Sequence, residues 1–408
     1  MLVLVFNAGS SSQKSCLYSF GESIPDTPLT PLWEADIDWT FEQQGILTVE
    51  SNDRQQEIKL EERDTALKVL LDTLVEGETK VIESLDEIDL VGHRVVHGGA
   101  KYSQPTIIND EVKRAIADLI PLAPSHNPAN LEGIETVEKI LPQTPQVAVF
   151  DTAFHTTIPE LAKVYPLPYK FYEQGIQRYG FHGISHEYCA HRTAQILQQP
   201  LETLKIVTCH LGNGCSLAAI KDGVCIDTTM GFTPLEGLMM GTRCGSIDPQ
   251  IPIYMMQEYG MDAGEVNQIM NKESGLKGVS GISNDLRNVV KAIADGNTQA
   301  QLAYDIYLHR LKKAIAAMVA SLNGLDVLVF TAGVGEHRNT LREQTCAGLS
   351  YLDIQIDPAK NDAEPKDIDI AASDSQVRVL VIHTQEVWAI AQLAVGIATS
   401  AVTVTEKK

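Results

Sequence analysis

The sequence predicts an α/β chain built from two like domains, and three observations carry that prediction. Strand-like and helix-like segments alternate along nearly the whole length, as in sheets joined by crossover helices. An apolar run closing on a small-residue turn occurs at residues 2–14 and again at 205–217, half a chain length apart. The 408 residues suffice for two domains with full cores.

The first element is a strand, Leu2–Phe6, ending abruptly in Asn7-Ala8-Gly9-Ser10-Ser11-Ser12-Gln13-Lys14. Such a turn gathers backbone N–H groups and hydroxyls, and glycine removes the Cβ that would block a phosphate. A plain surface hairpin reads the same way, so the turn alone decides little. Residues 62–76 carry Ala66, Leu67, Leu70, Leu71 and Leu74 at helical spacing. Leu90–His97 reads as a strand ending at Gly98-Gly99, residues 127–140 as a helix, and Gln146–Phe150 as a strand ending at Asp151. Pro159 to Gly180, rich in Pro, Tyr and Phe without a clean period, reads as an irregular segment near a domain boundary.

Lys205–Cys209 repeats the opening strand and leads into His210-Leu211-Gly212-Asn213-Gly214-Cys215-Ser216. Asn7 then corresponds to His210, Gly9 to Gly212, Ser10 to Asn213 and Ser11 to Gly214, one copy of the turn per domain. Gln301–Leu322 is a long amphipathic helix with Gly324 expected at the left-handed cap position. Asp326–Phe330 is a buried strand running into a third glycine turn, Thr331-Ala332-Gly333-Val334-Gly335-Glu336. Residues 356–376 read as surface connection and Val379–Ile382 as a last strand. Thr384 is the expected N-cap of a buried terminal helix that packs back onto the first domain. The domains are therefore expected at 1–150 plus 385–408 and at 151–384.

The net charge of −21, from 53 acidic against 32 basic residues, disfavours nucleic acid or an anionic membrane as partner. Seven cysteines without a C-x-x-C pair suggest a reducing compartment, with neither disulfides nor structural zinc. Leu2–Phe6 is too short for a signal peptide, and Val387 to Val402, broken by Gln392, is too short to span a bilayer. A cytoplasmic protein is expected.

Three glycine turns at strand ends, without a Walker A or Rossmann fingerprint, point to a nucleotide in an interdomain cleft. In Gly92–Gly99, strand alternation puts Arg94 and Val96 on one face, a guanidinium beside a small apolar wall that suits a short carboxylate. A surface salt bridge is the commoner use of a single arginine. Arg243, flanked by Gly241 and Gly245, is harder to explain by packing. His182 precedes Gly183 in a turn, and His126 sits between two prolines. His186-Glu187 with His191 is not a metalloprotease motif, because positions i and i+5 lie about 140° apart on a helix. Asp151 and Glu386 are the acidic candidates for Mg²⁺, although the helix dipole alone would explain Glu386.

With these residues in view, the chain resembles the acetate kinase family. N-x-G-S-S-S-x-K appears as Asn7 through Lys14, and H-x-G-x-G-x-S as His210 through Ser216. The blocks around Arg94, Asp151, His182, Arg243, Asp285 and Gly333 follow in order. The resemblance implies the actin-like ATPase (ribonuclease H-like) fold, two duplicated domains around an interdomain nucleotide cleft, and direct phosphoryl transfer from ATP to acetate with Mg²⁺ or Mn²⁺. It implies Asn7, Ser10, Ser12 and Lys14 as the first phosphate loop, and His210, Leu211, Gly212, Asn213 and Gly214 as the second. Asp285, Leu286 and Arg287, with Gly333, Val334, Gly335, Glu336 and His337, would form the adenosine pocket. Arg94 and Arg243 would bind the carboxylate and the transferring group, and His182 would stabilise the transition state. Asp151 and Glu386, with Asn7, would serve the metal. Val96, Phe181 and Pro234 would surround the methyl group, and the protein would be a homodimer. The sequence departs from the family pattern at Ser125, Leu286 and His337. Kinases of propionate or butyrate, and non-catalytic ATPases of the actin or chaperone type, are the competing readings.

Overall fold

The computed structural model describes residues 1–9, 12–39, 45–124 and 126–405, without the side chains of residues 64 and 400–405. Ser10, Ser11 and Ser125 lie outside the described residues. The chain divides into two compact units, Met1–Ala153 with Gln385–Lys408, and Phe154–Thr384.

Unit 1 is built on eight strands: β1 (Leu2–Ala8), β2 (Ser12–Ser19), β3 (Trp33–Asp38), β4 (Gly45–Ser51), β5 (Arg54–Leu60), β6 (Leu90–Val95), β7 (Thr106–Ile107) and β8 (Gln146–Phe150). Their order is β5-β4-β3-β2-β1-β6-β8-β7, with β1 to β5 an antiparallel meander and β6 and β8 parallel to β1. The helix Arg63–Val75 contributes Leu70, Leu71 and Leu74 to a core with Trp33 and Leu47. Burying each such side chain is worth about 1.5–3 kcal/mol. The terminal helix Glu386–Thr405 packs on β1, β6 and β8. Gly92 permits this approach, since a Cβ there would lie 3.0 Å from Ile390. Trp388, fully buried, stacks on Phe20 at 5.3 Å.

Unit 2 carries β9 (Ile206–Leu211), β10 (Cys215–Lys221), β11 (Val224–Thr228), β12 (Val327–Thr331), β13 (Ile368–Asp369) and β14 (Arg378–Val381), ordered β11-β10-β9-β12-β14-β13. Strand for strand this repeats β3-β2-β1-β6-β8-β7: two antiparallel pairings, two parallel, then an antiparallel edge. The duplicated frame expected from the two turns is present, with β4 and β5 the addition in unit 1. The copies part at the turn itself. Asn7 faces Lys14 across the first hairpin, whereas His210 faces Ser216 across a turn one residue shorter.

Several boundaries differ from the sequence reading for identifiable reasons. Strand β6 stops at Val95 because the next two N–H groups, of Val96 and His97, bond to the side chains of Asn130 and Asn127. The long helix starts earlier, at Thr298, where Asn297 caps it. At its end Asn323, with φ 51°, takes the left-handed position expected of Gly324. Residues Ala332–His337 are a short helix rather than an open glycine turn. The segment 356–376 holds the helix Pro358–Asp362, strand β13 and the buried Ile370 and Ala371, so it is not mere surface connection. Thr384 does not cap the terminal helix, which begins at Glu386. Its hydroxyl meets Ser185 Oγ at 3.2 Å and its N–H donates to Glu336. All seven cysteines are free thiols. Among the described residues no helix is long and apolar enough to cross a membrane.

Candidate active site

In unit 1, the C-terminal ends of β1 and β6, the residue after β8, and the first turn of the terminal helix bring Asn7, Arg94, Asp151 and Glu386 together. Arg94 Nη2 donates to Asp151 Oδ2 at 2.5 Å, and Nη1 to Asn7 Oδ1 at 3.2 Å. Asn7 Nδ2 donates in turn to Glu386 Oε2 at 3.1 Å. Asp151 is held in place from behind: its N–H donates to Val95 O, and the following Thr152 hydroxyl receives the N–H of Gly98. A side chain at residue 98 would collide with Phe150, since a Cβ would sit 2.7 Å from its ring. Burial disfavours the Arg94 cation, but Asp151 and Glu386 outweigh it and hold the guanidinium charged. Arg94 Nε and Asp151 Oδ1 are buried with no hydrogen-bond partner among the described residues. Orphaned polar atoms of this kind are costly unless a ligand meets them.

Other sequence candidates in unit 1 are engaged elsewhere. Lys14 pairs with Glu34 on β3 at 2.6 Å. Ser12 closes the turn by accepting the N–H of Gly9 on its carbonyl. Val96 is 3% exposed, so it can offer no more than an edge to a ligand.

Unit 2 holds two further groups. The first is a pocket of about 470 Å³ walled by the β9–β10 turn, the start of the helix Leu286–Ala294 and the helix Ala332–His337. Gly212 and Asn213, then Asp285, Leu286 and Arg287, then Gly333, Val334 and His337, all line it. Asp285 caps its helix by accepting the N–H of Arg287 and grips that residue's guanidinium at 2.6 Å, which lowers the carboxyl's pKa. A Cβ on Gly333 would meet open space, so the backbone there is accessible. Tyr307, Asn284 and Arg338 also line the pocket and were missed. Tyr307 sat in the apolar stripe of the long helix, and only its hydroxyl hinted at more.

Five of the nucleotide candidates in unit 2 do not line this pocket: His210 and Gly214 belong to the second group described below, and three belong to neither. Leu211 is fully buried on β9. Gly335 is buried in its helix, where a Cβ would make only ordinary contact with Phe330 C and Cys209 O at 3.4 and 3.6 Å. Glu336 is spent inside the unit, accepting from His383 Nδ1 at 2.6 Å and from Thr384 N–H at 3.0 Å.

The second group surrounds Gly214. A Cβ on that glycine would lie 3.2 Å from His182 Nε2 and 3.4 Å from Arg243 Nη1, so turn, imidazole and guanidinium converge. Arg243 Nη1 donates to Pro234 O at 3.2 Å. The loop bearing Arg243 is tied down by bonds from Gly241 N–H to Asn213 O and from Cys244 N–H to Met270 O. His182 stacks on His210 with centroids 4.2 Å apart. Phe181, 1% exposed, belongs to the core. Glycine N–H groups, two imidazoles and a guanidinium, with no carboxylate among them, form an anion-binding set.

Against known proteins, the chain matches the Acetokinase family model over residues 2–392. It is 59% identical over 396 residues to an acetate kinase of Gloeothece citriformis, covering 96% of this chain and 98% of the relative. It is 60% identical, over the same shares, to an acetate kinase of Rippkaea orientalis. The crystal structure of Porphyromonas gingivalis acetate kinase superposes with a TM-score of 0.88 at 40% identity, over 97% of this chain and 99% of the other. A propionate kinase from Francisella tularensis gives 0.88 at 38% over the same shares.

Proposed function

The chain belongs to the acetokinase family, and from that premise we propose that it catalyses the reversible transfer of the γ-phosphoryl group of ATP to acetate, giving acetyl phosphate and ADP. One observation supports a carboxylate acceptor above the others: Arg94 is partly buried, held charged by Asp151, and has a buried Nε without a partner among the described residues. A guanidinium so placed reads a planar carboxylate through paired N–H donors.

Acetate is ionised at neutral pH, so the acceptor needs no general base. Its oxygen attacks the γ-phosphorus in line, the bond from that phosphorus to the bridging oxygen breaks, and the electron pair leaves on ADP. Little covalent help is needed, and positioning and charge stabilisation supply the rate. In this reading Arg94 orients the acetate, while Arg243, His182 and the Gly212–Gly214 turn stabilise charge on the transferring oxygens. The unit 2 pocket, with Asp285, Arg287, Gly333 and His337, takes the adenosine. Val96, two residues beyond Arg94, offers an edge to the methyl group.

Asn7 and Glu386, with an Asp151 Oδ1 unpaired among the described residues, form a hard oxygen-donor set. Mg²⁺ is commonly held by one or two carboxylates together with substrate phosphates, so these residues fit it. When bound it would neutralise phosphate charge. A homodimer in the cytoplasm is the remaining part of the reading. The helix Gln250–Glu258, which has no buried residue and exposes Ile251, Ile253, Tyr254 and Met256, supports an apolar interface.

The deciding experiment is ATP-dependent acyl phosphate formation, trapped with hydroxylamine, on acetate, propionate and butyrate. Product falling with chain length is expected. An equal rate on all three would overturn acetate as the substrate, and no product with ATP still bound would overturn the kinase reading.

A further inference from the structure

Ser216 closes the second turn motif and is fully buried on β10, opposite His210. Its hydroxyl touches two imidazoles, His182 Nδ1 at 2.8 Å and His186 Nε2 at 2.7 Å. His186 lies in the helix Gly183–Leu197, also fully buried, and its Nδ1 meets Thr208 Oγ1 on β9 at 2.7 Å. Four groups thus form a chain: Thr208, His186, Ser216, His182.

Hydrogen accounting gives the chain a direction. A neutral imidazole has one N–H and one acceptor nitrogen, and a hydroxyl has one hydrogen to give. His186 is neutral, because burial and the nearby His155 and His210 push its pKa well down. Among the described residues the Thr208 hydroxyl meets His186 alone. Were His186 Nδ1 the donor, the Thr208 hydrogen would be buried without an acceptor, which native interiors avoid. Thr208 therefore donates to His186 Nδ1. The His186 proton then sits on Nε2 and is given to Ser216 Oγ, which leaves the Ser216 hydrogen for His182 Nδ1.

We propose that Thr208, His186 and Ser216 are positioning residues that fix the proton of His182 on Nε2, the nitrogen beside Gly214 and Arg243, so that His182 faces the transferring group as a hydrogen-bond donor. The proposal deepens the phosphoryl-transfer reading and depends on it for what the donor meets. The tautomer itself is independent of any reaction. Left-handed backbone at His182, with φ 58°, sets the ring at the head of its helix, and the chain behind it sets the ring's chemistry.

The test uses the full chain labelled with ¹⁵N-histidine, with the His182 signals identified by their loss in His182→Gln. Nitrogen–proton correlation spectra are expected to show His182 and His186 both protonated on Nε2 and bare at Nδ1. Thr208→Val keeps the side-chain volume and removes the hydroxyl, and Thr208→Ser does the reverse. Thr208→Val is expected to mix the His182 tautomers and lower kcat at least about 10-fold, with KM for ATP held within about 2-fold. Thr208→Ser should keep the tautomer and more of the turnover. A purely structural role for Thr208 predicts the opposite ranking, since serine leaves the larger void. A His182 proton found on Nδ1, or Thr208→Val outperforming Thr208→Ser, would overturn the proposal. Should the wild-type chain make no acyl phosphate, the functional reading fails, while the spectra still decide the direction of the chain.

Discussion

The two units put different chemistry on one duplicated frame. Where β1 and β6 end in unit 1 stand two carboxylates, an amide and one guanidinium that one of the carboxylates holds. Around the matching β9–β10 turn of unit 2 stand imidazoles, a guanidinium and glycine N–H groups, with hydroxyls as their partners. The first set suits a cation and a small carboxylate, the second a phosphate. Sheet order was kept through the duplication while the turn was shortened by a residue and its polarity inverted. Strand topology therefore says where a site lies, and the side chains at strand ends say what it takes.

Removing one arginine from each set sharpens that contrast. Arg94→Ala and Arg243→Ala should each lower acyl phosphate formation about 10³-fold. Arg94→Ala strands a carboxylate that is 1% exposed, so it should cost about 3 kcal/mol of stability, read as a lowered Tm. An unchanged Tm in Arg94→Ala would break the comparison. Gly214→Ala should come next, about 10-fold in kcat, because the new methyl group pushes on both His182 and Arg243. Gly333→Ala meets no atom and should leave kcat within about 2-fold, acting if at all on KM for ATP. Asp285→Ala removes an N-cap and should cost about 1 kcal/mol while raising KM for ATP.

The smallest effect concerns Glu336, which the sequence placed in the adenosine pocket. Burial pushes its pKa up, but the bonds from His383 and the Thr384 N–H outweigh this and leave it below the usual glutamate range. A depressed carboxyl contributes its stability above its unfolded pKa and loses it as pH falls through the folded one. Glu336→Gln should therefore cost about 1 kcal/mol near neutrality, with the difference from wild type vanishing in acid. A gap that persists in acid would assign the loss to shape rather than charge.

Much of this was legible in the sequence wherever the signal is local. The helix Asn127–Ile140 and strand Gln146–Phe150 fall where periodicity put them, and the repeated turn exposed the duplication. What escaped depends on partners far along the chain. Strand β6 ends early because Asn127 and Asn130, some thirty residues on, take its N–H groups. Glu336 looked like part of a glycine turn because its partner His383 lies 47 residues away. Tyr307 was hidden because a pocket-lining residue and a core residue occupy the same helical stripe.

The terminal helix carries a consequence for how the protein is made. Its contacts with β1 and β6 join residues synthesised late to residues synthesised early, across the whole of unit 2. On the ribosome the sheet face containing Val3, Val5 and Gly92 stays bare until Trp388 and Ile390 emerge, while unit 2 has all its own residues earlier. The N-terminal unit is thus begun first and finished last, and Glu386 arrives with the helix that finishes it. A chain stopped before residue 385 would release unit 2 folded and unit 1 with an open apolar face, so premature termination yields a species that aggregates rather than a slow enzyme.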